Sequence, residues 1–224
     1  NHLGHGYFLE EGHETNNIIR GNLGMLSKAP PVDRALLNSD FMSKQKVRFA
    51  APSTFWISNP SNTVTGNVAS GYEGTGFWMA FDRSMTCDTE ANKCRFPNNE
   101  LGDKPNYYPS RLRTIEFSNN IAYAGLIGFS WDGAPSGKLT NNPNNSLDRE
   151  TVSSHYYGYK KNERKYMPKF KNLTAYKNIN AGVYYRGTTA EFENFKAADN
   201  GVSIFVAYNQ KFINSLVVGH SDFI

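Results

Sequence analysis

A seven-residue motif recurs along the chain and constrains its fold more than any other sequence feature. Each copy places an apolar residue two positions before an Asn or Gly, and then continues into a short segment suited to a β-strand. The Asn or Gly positions of the six copies are Gly21, Gly66, Asn119, Asn172, Asn194 and Asn214. The last three are spaced by 22 and then 20 residues, a period that is typical of a solenoid.

These Asn and Gly positions predict a corner in every coil of the solenoid. Both residue types tolerate a left-handed backbone, which the chain needs where it turns at the same place in each coil. Stacked Asn side chains can also hydrogen-bond along the stack. The step of 45 residues from Gly21 to Gly66 predicts two coils, and the two following steps of 53 residues predict one or two coils with an insertion.

A second strand segment in each coil shows the alternation of a sheet with one buried side. Such segments begin at Gly6, Gly76, Gly128, Gly182 and Gly201. Because side chains two positions apart lie on the same side of a strand, the inward residues are predicted to be Tyr7, Leu9, Phe77, Met79, Phe129, Trp131, Val183, Tyr185, Val202 and Ile204. All of them are apolar, so the sequence predicts an all-β fold: a right-handed single-stranded parallel β-helix, a solenoid with long inserted loops.

Three stretches interrupt the repeat: residues 28–50, 83–114 and 133–168. They are rich in Pro, Asn, Lys and Ser and lack the motif, so we interpret them as loops inserted between strands. Since the chain begins inside the repeat pattern, we interpret residues 1–224 as one β-helix domain of a longer protein.

The outward residues of the second strand segments form two predicted columns. The first column holds Phe8, Trp78, Ser130, Tyr184 and Ser203, and the second holds Glu10, Ala80, Asp132, Arg186 and Phe205. Aromatic rings can stack on sugars, while charged groups bind hydroxyls or uronate carboxylates. Phe8, Trp78, Asp132, Tyr184 and Arg186 are therefore candidate substrate-binding residues. In the alternative interpretation, a returning loop covers the aromatic side chains and the charges are solvated.

The N-terminal segment concentrates groups that suit acid–base chemistry or metal binding. Glu10, Glu11, His5 and His13 are the candidate catalytic residues, with a carboxylate as general acid or base and a His as its partner. Glu10 and Asp132 make a poor pair, because several coils at roughly 4.8 Å each exceed the separation used by glycosidases. Catalysis is therefore expected near the first coils. An ordinary role in turns and capping is the alternative for this cluster.

Cys87 and Cys94 are predicted to form a disulfide that closes a polar loop. Two thiols with no nearby His are too few for a structural zinc site, and a disulfide implies an oxidising compartment. The net charge of +4 favours acidic partners without choosing among them. No nucleic-acid-binding motif occurs, and no apolar run reaches the roughly 20 residues that a membrane span needs.

Several segments resemble the β-helix region of G8-domain proteins, the group of hyaluronan-binding, cell-surface and fibrocystin-like proteins with bacterial relatives. The segments that carry the resemblance are residues 4–17, 21–24, 53–60, 74–78, 170–178 and 214–219. The resemblance implies an extracellular or cell-surface protein related to others that bind or depolymerise hyaluronan, with calcium involved in some of them. This chain has no G8 domain, and the loop between the two cysteines has no counterpart that we can assign.

Three functional hypotheses follow. The first is a polysaccharide hydrolase or lyase that acts on an acidic polysaccharide such as hyaluronan. The second is a non-catalytic glycan-binding or adhesion module, and the third is a structural part of a large surface protein in contact with its other domains. Under the first hypothesis Glu10 or Glu11 acts as acid or base, His5 or His13 assists, and Arg186 contacts a uronate.

Overall fold

The computed structural model describes residues 2–9, 12–31, 34, 52–81, 109, 112–133, 167–187 and 189–221. Regular structure in this part of the chain consists almost wholly of short strands. In chain order these are β1 (His2–Leu3), β2 (Tyr7–Leu9), β3 (Ile18–Arg20), β4 (Leu23–Met25), β5 (Ser27–Lys28), β6 (Ser53–Ile57), β7 (Thr63–Thr65), β8 (Val68–Ser70), β9 (Thr75–Phe81), β10 (Glu116–Ser118), β11 (Ile121–Tyr123), β12 (Ile127–Gly133), β13 (Lys169–Lys171), β14 (Thr174–Tyr176), β15 (Ala181–Tyr185), β16 (Thr189–Glu193), β17 (Lys196–Ala198), β18 (Val202–Val206), β19 (Asn209–Ile213) and β20 (Leu216–Val218).

Three parallel sheets of six strands each make up the body of the fold. The first sheet has the order β2-β6-β9-β12-β15-β18, the second β3-β7-β10-β13-β16-β19, and the third β4-β8-β11-β14-β17-β20. Each coil contributes one strand to each sheet, and neighbouring strands come from successive coils. The fold is a right-handed parallel β-helix, as the repeat predicted, and its described residues form six coils. A separate parallel pair, β1 with β5, lies beside the first coil.

The predicted corners are confirmed at all six positions. Gly21, Gly66, Asn119, Asn172, Asn194 and Asn214 all have positive φ values, between 50° and 68°. They connect each strand of the second sheet to the following strand of the third. The repeat therefore identified a turn that requires a left-handed residue.

A second left-handed corner was not predicted. It follows the third sheet and is occupied by Leu26, Gly71, Ala124, Lys177 and Asp199, with φ between 54° and 64°. Leu, Ala and Lys rarely adopt this conformation, so their identity gives no local sign of the turn. The stacking of adjacent coils imposes the backbone geometry here.

The coil count predicted from the first step was wrong. Gly21 and Gly66 lie in adjacent coils, because β3 pairs directly with β7. The 45-residue step is one coil plus the insertion between β5 and β6. Each 53-residue step is likewise one coil, since β7 pairs with β10 and β10 with β13. The three predicted insertions, residues 28–50, 83–114 and 133–168, lie largely outside the described residues.

Stacked aromatic rings form the interior of the solenoid. Tyr7, Phe55 and Phe77 stack at 4.6 Å between ring centroids with planes 7° apart, and Phe192 stacks on Phe212 at 4.8 Å. Nine of the ten predicted inward residues belong to this core or pack against it. Val202 is the exception: it is 44% exposed and pairs with Ala181, not with Val183.

Asn side chains at the first corner form hydrogen bonds from coil to coil, in one row inside the coils and in another row outside them. Inside, Asn67 Oδ1 accepts a 3.0 Å bond from Asn22 Nδ2, and Asn67 Nδ2 donates to Asn120 Oδ1 at 3.2 Å. Outside, Asn172 Nδ2 donates to Asn119 Oδ1 at 2.8 Å, and Asn194 donates to Asn172 at 3.0 Å. The predicted hydrogen-bonded Asn stack is confirmed.

Within the described ranges, no helix is long and apolar enough to cross a membrane.

Candidate functional site

The outer side of the first sheet carries a continuous column of mainly aromatic side chains. Strand register gives its members in order as Phe8, Trp56, Trp78, Ser130, Tyr184 and Phe205. The sequence-based column was correct in four of these and wrong at its end, where Phe205 takes the place assigned to Ser203. It also lacked Trp56, since the coil that contains β6 was not recognised. The alternation of Phe55 and Ile57 around Trp56 was the signal that could have revealed it.

The middle of this column is buried, although it points away from the core. Trp78 is 2% exposed, Ser130 3% and Tyr184 6%. Of the two interpretations left open by the sequence, the covered one therefore holds for Trp78 and Tyr184. Phe8 is half-buried at one end of the column, and Phe205 is exposed at the other. An accessible surface is thus offered only at the ends.

An aromatic cluster marks the end of the column at the first coil. The His5 ring stacks on Phe8 with ring centroids 5.0 Å apart, and it lies 4.5 Å from the Trp56 ring. Trp56 in turn contacts Trp78 at 5.2 Å. The indole N–H groups of Trp56 and Trp78 are buried, and neither has a hydrogen-bond partner among the described residues. We call His5, Phe8, Trp56 and Trp78 the first-coil aromatic cluster.

His5 is held in one orientation by Ser53 at the start of β6. Its Nδ1 accepts a 3.0 Å hydrogen bond from the Ser53 backbone N–H and lies 3.1 Å from the Ser53 hydroxyl. Because Nδ1 accepts, the neutral ring carries its proton on Nε2. In this tautomer His5 can donate a hydrogen bond through Nε2, and it is not arranged to act as a base through Nδ1.

The second coil anchors both flanks of the segment that contains Glu10 and Glu11. The Ser58 hydroxyl donates a 2.6 Å bond to the Leu9 carbonyl, and Asn59 Nδ2 donates one of 2.6 Å to the Gly12 carbonyl. Glu14 Oε2 accepts a 2.8 Å bond from the Gly12 N–H, and His13 beside it is half-buried. Glu10 and Glu11 themselves lie outside the described residues, so their catalytic assignment stays a prediction, as does that of His13.

Asp132 and Arg186 lie several strands away from that segment along the first sheet. The Arg186 backbone N–H donates to the Trp131 carbonyl at 2.9 Å, which places Arg186 one coil beyond Asp132. Its Nη1 donates to the Tyr184 hydroxyl at 3.1 Å, and the guanidinium stands 6.0 Å from that ring. β2 and β12 are three strands apart in the first sheet, or roughly 14 Å at the usual strand spacing. The residues brought together are thus Arg186 with Tyr184, and His5 with Phe8.

The disulfide prediction falls outside the described part of the chain. Cys87 and Cys94 lie there, so their disulfide stays a prediction.

Among the described residues, no three His, Cys, Asp or Glu side chains meet in a group that could hold a metal ion. Calcium prefers six to eight oxygen ligands, and its involvement stays a prediction.

Known proteins resemble this chain over most of its length. The family described as CEMIP beta-helix matches residues 1–129. The mouse cell migration-inducing and hyaluronan-binding protein is 28% identical over 99% of the chain and 17% of its own length. The human cell surface hyaluronidase CEMIP2 is 27% identical over 94% of the chain and 16% of its own length.

A protein of Dictyostelium discoideum is 30% identical over 98% of the chain and 22% of its own length. The chain therefore spans less than a quarter of each of these relatives. Because the family match covers more than half of the chain and the six-coil fold agrees with it, the chain belongs to the CEMIP β-helix family.

Proposed function

We propose that this chain binds an acidic polysaccharide such as hyaluronan at the outer side of its first coil. The single observation that carries the proposal is the first-coil aromatic cluster. It places the half-buried rings of His5 and Phe8 against each other, with the Trp56 ring beside them, at the accessible end of the outer column. The relatives named for hyaluronan supply the substrate class.

The chemistry of the cluster suits a sugar with acidic groups. The apolar faces of sugar rings pack on aromatic side chains, and Phe8 with His5 offers such a surface at the end of the column. The net charge of +4 favours an anionic polymer without selecting hyaluronan in particular.

The proposal includes depolymerisation at the same place, with Glu10 or Glu11 as general acid or base. Two carboxylates must stand within about 10 Å of each other to cleave a glycosidic bond by hydrolysis. Three strand spacings, roughly 14 Å, separate β2 from β12, so Asp132 does not serve as the second group. The residues on either side of this pair are anchored to the second coil through the Leu9 and Gly12 carbonyls. Calcium dependence belongs to this part of the proposal and rests on the same carboxylates.

A non-catalytic module is the second candidate function, and a specific observation favours it. Trp78, Ser130 and Tyr184 are buried within this chain, so most of the outer column already serves packing. On this view the solenoid is a rigid platform for adhesion or for contact with other domains. An extracellular or cell-surface location is proposed in both cases, by analogy with the named relatives.

One experiment separates the two candidates. The protein is incubated with hyaluronan and other uronic-acid polysaccharides, with and without calcium, and polymer size is followed by gel filtration. The enzymatic proposal expects shortening that is lost in Glu10→Gln or Glu11→Gln. The matched control is Glu193→Gln, which removes an acidic group that pairs with Lys171 on the second sheet. Binding without any change in polymer length would instead establish the non-catalytic module.

A further inference from the structure

We propose that Asn172 is a site of N-linked glycosylation. Asn172, Leu173 and Thr174 form an Asn-x-Ser/Thr sequence with no Pro in the middle, which is the acceptor signal of secreted proteins. The inference rests on the proposed extracellular location, because the modification occurs in the secretory pathway. It adds a covalent partner that the polysaccharide-binding proposal does not contain.

The position of Asn172 suits a bulky modification. It is exposed and stands at the first corner, between β13 of the second sheet and β14 of the third. The first-coil aromatic cluster lies on the first sheet, which forms the opposite side of the coil. A glycan on Asn172 would therefore project into solvent away from the proposed polysaccharide site.

The hydrogen bonds of Asn172 are compatible with the modification. Its Nδ2 has two hydrogens and uses one of them, in the 2.8 Å bond to Asn119 Oδ1. Its Oδ1 accepts from Asn194 Nδ2 at 3.0 Å. An N-linked sugar replaces one hydrogen on Nδ2 and leaves the other, so both bonds along the Asn stack can persist.

The transfer is chemically complete with one co-reactant, an oligosaccharide linked to a lipid pyrophosphate. Asn172 Nδ2 loses one proton and forms a bond to the anomeric carbon of the first sugar. The bond from that carbon to the pyrophosphate breaks, and the lipid pyrophosphate leaves with the electron pair. No oxidant or reductant is needed.

The chain provides its own matched controls. Asn119, Asn194 and Asn214 occupy the same corner with positive φ, yet none has Ser or Thr two positions later. Asn59 has Ser61 two positions later, but Pro60 stands between them. Asn144 begins a second acceptor sequence outside the described residues, so every variant in the test carries Asn144→Gln.

The test delivers the protein to the lumen of the endoplasmic reticulum of a eukaryotic host with a cleavable leader. Peptide mass spectrometry and treatment with an amidase that removes N-glycans then report occupancy. We expect a glycan on Asn172, its loss in Thr174→Val, and its retention in Thr174→Ser. Thr174→Val keeps the Asn stack, so loss of the glycan in this variant does not depend on misfolding. Lys196→Thr, at an exposed position, is expected to add a second glycan at Asn194.

An unmodified Asn172 in protein recovered from the secretory pathway would overturn the inference. The leader makes this result independent of where the natural protein resides. Hyaluronan binding is measured on the same samples before and after glycan removal, and equal binding is expected. Failure of binding with a glycosylated Asn172 would count against the proposed function alone.

Discussion

The Tyr72 hydroxyl donates a 2.5 Å hydrogen bond to Asn178 Oδ1, and these two buried residues are 106 positions apart in the sequence. Asn178 Nδ2 in turn donates to Asn200 Oδ1 at 2.9 Å. The Tyr72 ring lies over Gly125, where an added Cβ would stand 1.9 Å from a ring carbon. This series of hydrogen bonds therefore joins the three segments that precede β9, β15 and β18.

Tyr72→Phe is expected to lower the free energy of unfolding by about 1–3 kcal/mol. The ring still fills its place over Gly125, but Asn178 loses a buried donor. Denaturant unfolding followed by circular dichroism measures the change. Tyr123→Phe, on the outer side of the third sheet, serves as the control and should change stability by less than about 0.5 kcal/mol. Equal effects of the two substitutions would show that the long-range bond contributes nothing specific.

Stability should fall at alkaline pH because of two buried phenols. Burial raises the pKa of Tyr72 and of Tyr185 well above the usual value of about 10. In the unfolded chain these phenols ionise near pH 10, whereas in the folded protein they stay neutral. Their contribution is therefore full below about pH 10 and is lost as the pH rises from there towards the folded pKa.

The double variant Tyr72→Phe, Tyr185→Phe tests this pH dependence. Its unfolding free energy should depend less steeply on pH than that of the unmodified protein between about pH 10 and 11.5. Urea unfolding at a series of pH values provides the comparison. Parallel curves for the two proteins would contradict the role of these phenols.

Asn67 is expected to be the most sensitive residue of the inner Asn stack. Its Oδ1 accepts from the backbone and side-chain nitrogens of Asn22, both at 3.0 Å, and its Nδ2 donates to the Ile19 carbonyl at 2.9 Å. Asn67→Ala should cost about 3 kcal/mol, because it leaves buried groups without partners. Thermal unfolding measures the loss.

The outer Asn stack supplies the control for that experiment. Asn172→Gly keeps the left-handed corner but removes the exposed side chain from its stack. It should cost less than about 1 kcal/mol, since water can replace the lost bonds. A larger loss from Asn172→Gly than from Asn67→Ala would reverse the assigned importance of the two stacks.

Gly128→Ala should destabilise the protein, because the coils approach each other closely at this point. An added Cβ would stand 2.6 Å from the Gly182 carbonyl oxygen and 3.1 Å from the Ala175 Cβ. The expected cost is about 1–3 kcal/mol, the range for overpacked sites. Gly219→Ala is the matched control, since no atom lies within 4 Å of its added Cβ. Similar unfolding midpoints for both variants would refute the close-packing argument.

The first corner could be predicted from the sequence, whereas the second could not. Asn and Gly have a local preference for a left-handed backbone, so they mark the first corner in any context. Leu26, Ala124 and Lys177 adopt the same conformation only because the neighbouring coils hold them there. A turn imposed by tertiary packing leaves no trace in residue identity.

The sequence predicted the side of the strand that each residue faces better than it predicted which residues pair between neighbouring strands. The alignment that placed Val202 beside Val183 was two residues out, since Ile204 is the actual partner of Val183. A slip of two residues preserves which side a residue faces, so Ile204 was still predicted to point inward. It moves every residue along the strand, however, and this placed Ser203 in the column where Phe205 belongs.

The sequence also identified which side chains of the first sheet point outward, but it did not show that some of them are buried. Alternation predicts that Trp78 and Tyr184 point away from the core, and it contains no information about what lies over them. Both are buried. At the edge of the first coil, Phe8 and His5 keep the partial exposure that the hypothesis of a polysaccharide surface requires.

The most direct test of the central claim is the affinity of the protein for hyaluronan oligosaccharides with and without Phe8. Isothermal titration of Phe8→Ala should show binding weakened by about tenfold or more, as expected for loss of one stacking ring. Tyr176→Ala removes an aromatic ring from the third sheet, where it stacks on Tyr123 at 4.8 Å, and should leave the affinity unchanged. Full affinity in Phe8→Ala, or an equal loss in Tyr176→Ala, would contradict a polysaccharide site on the first coil.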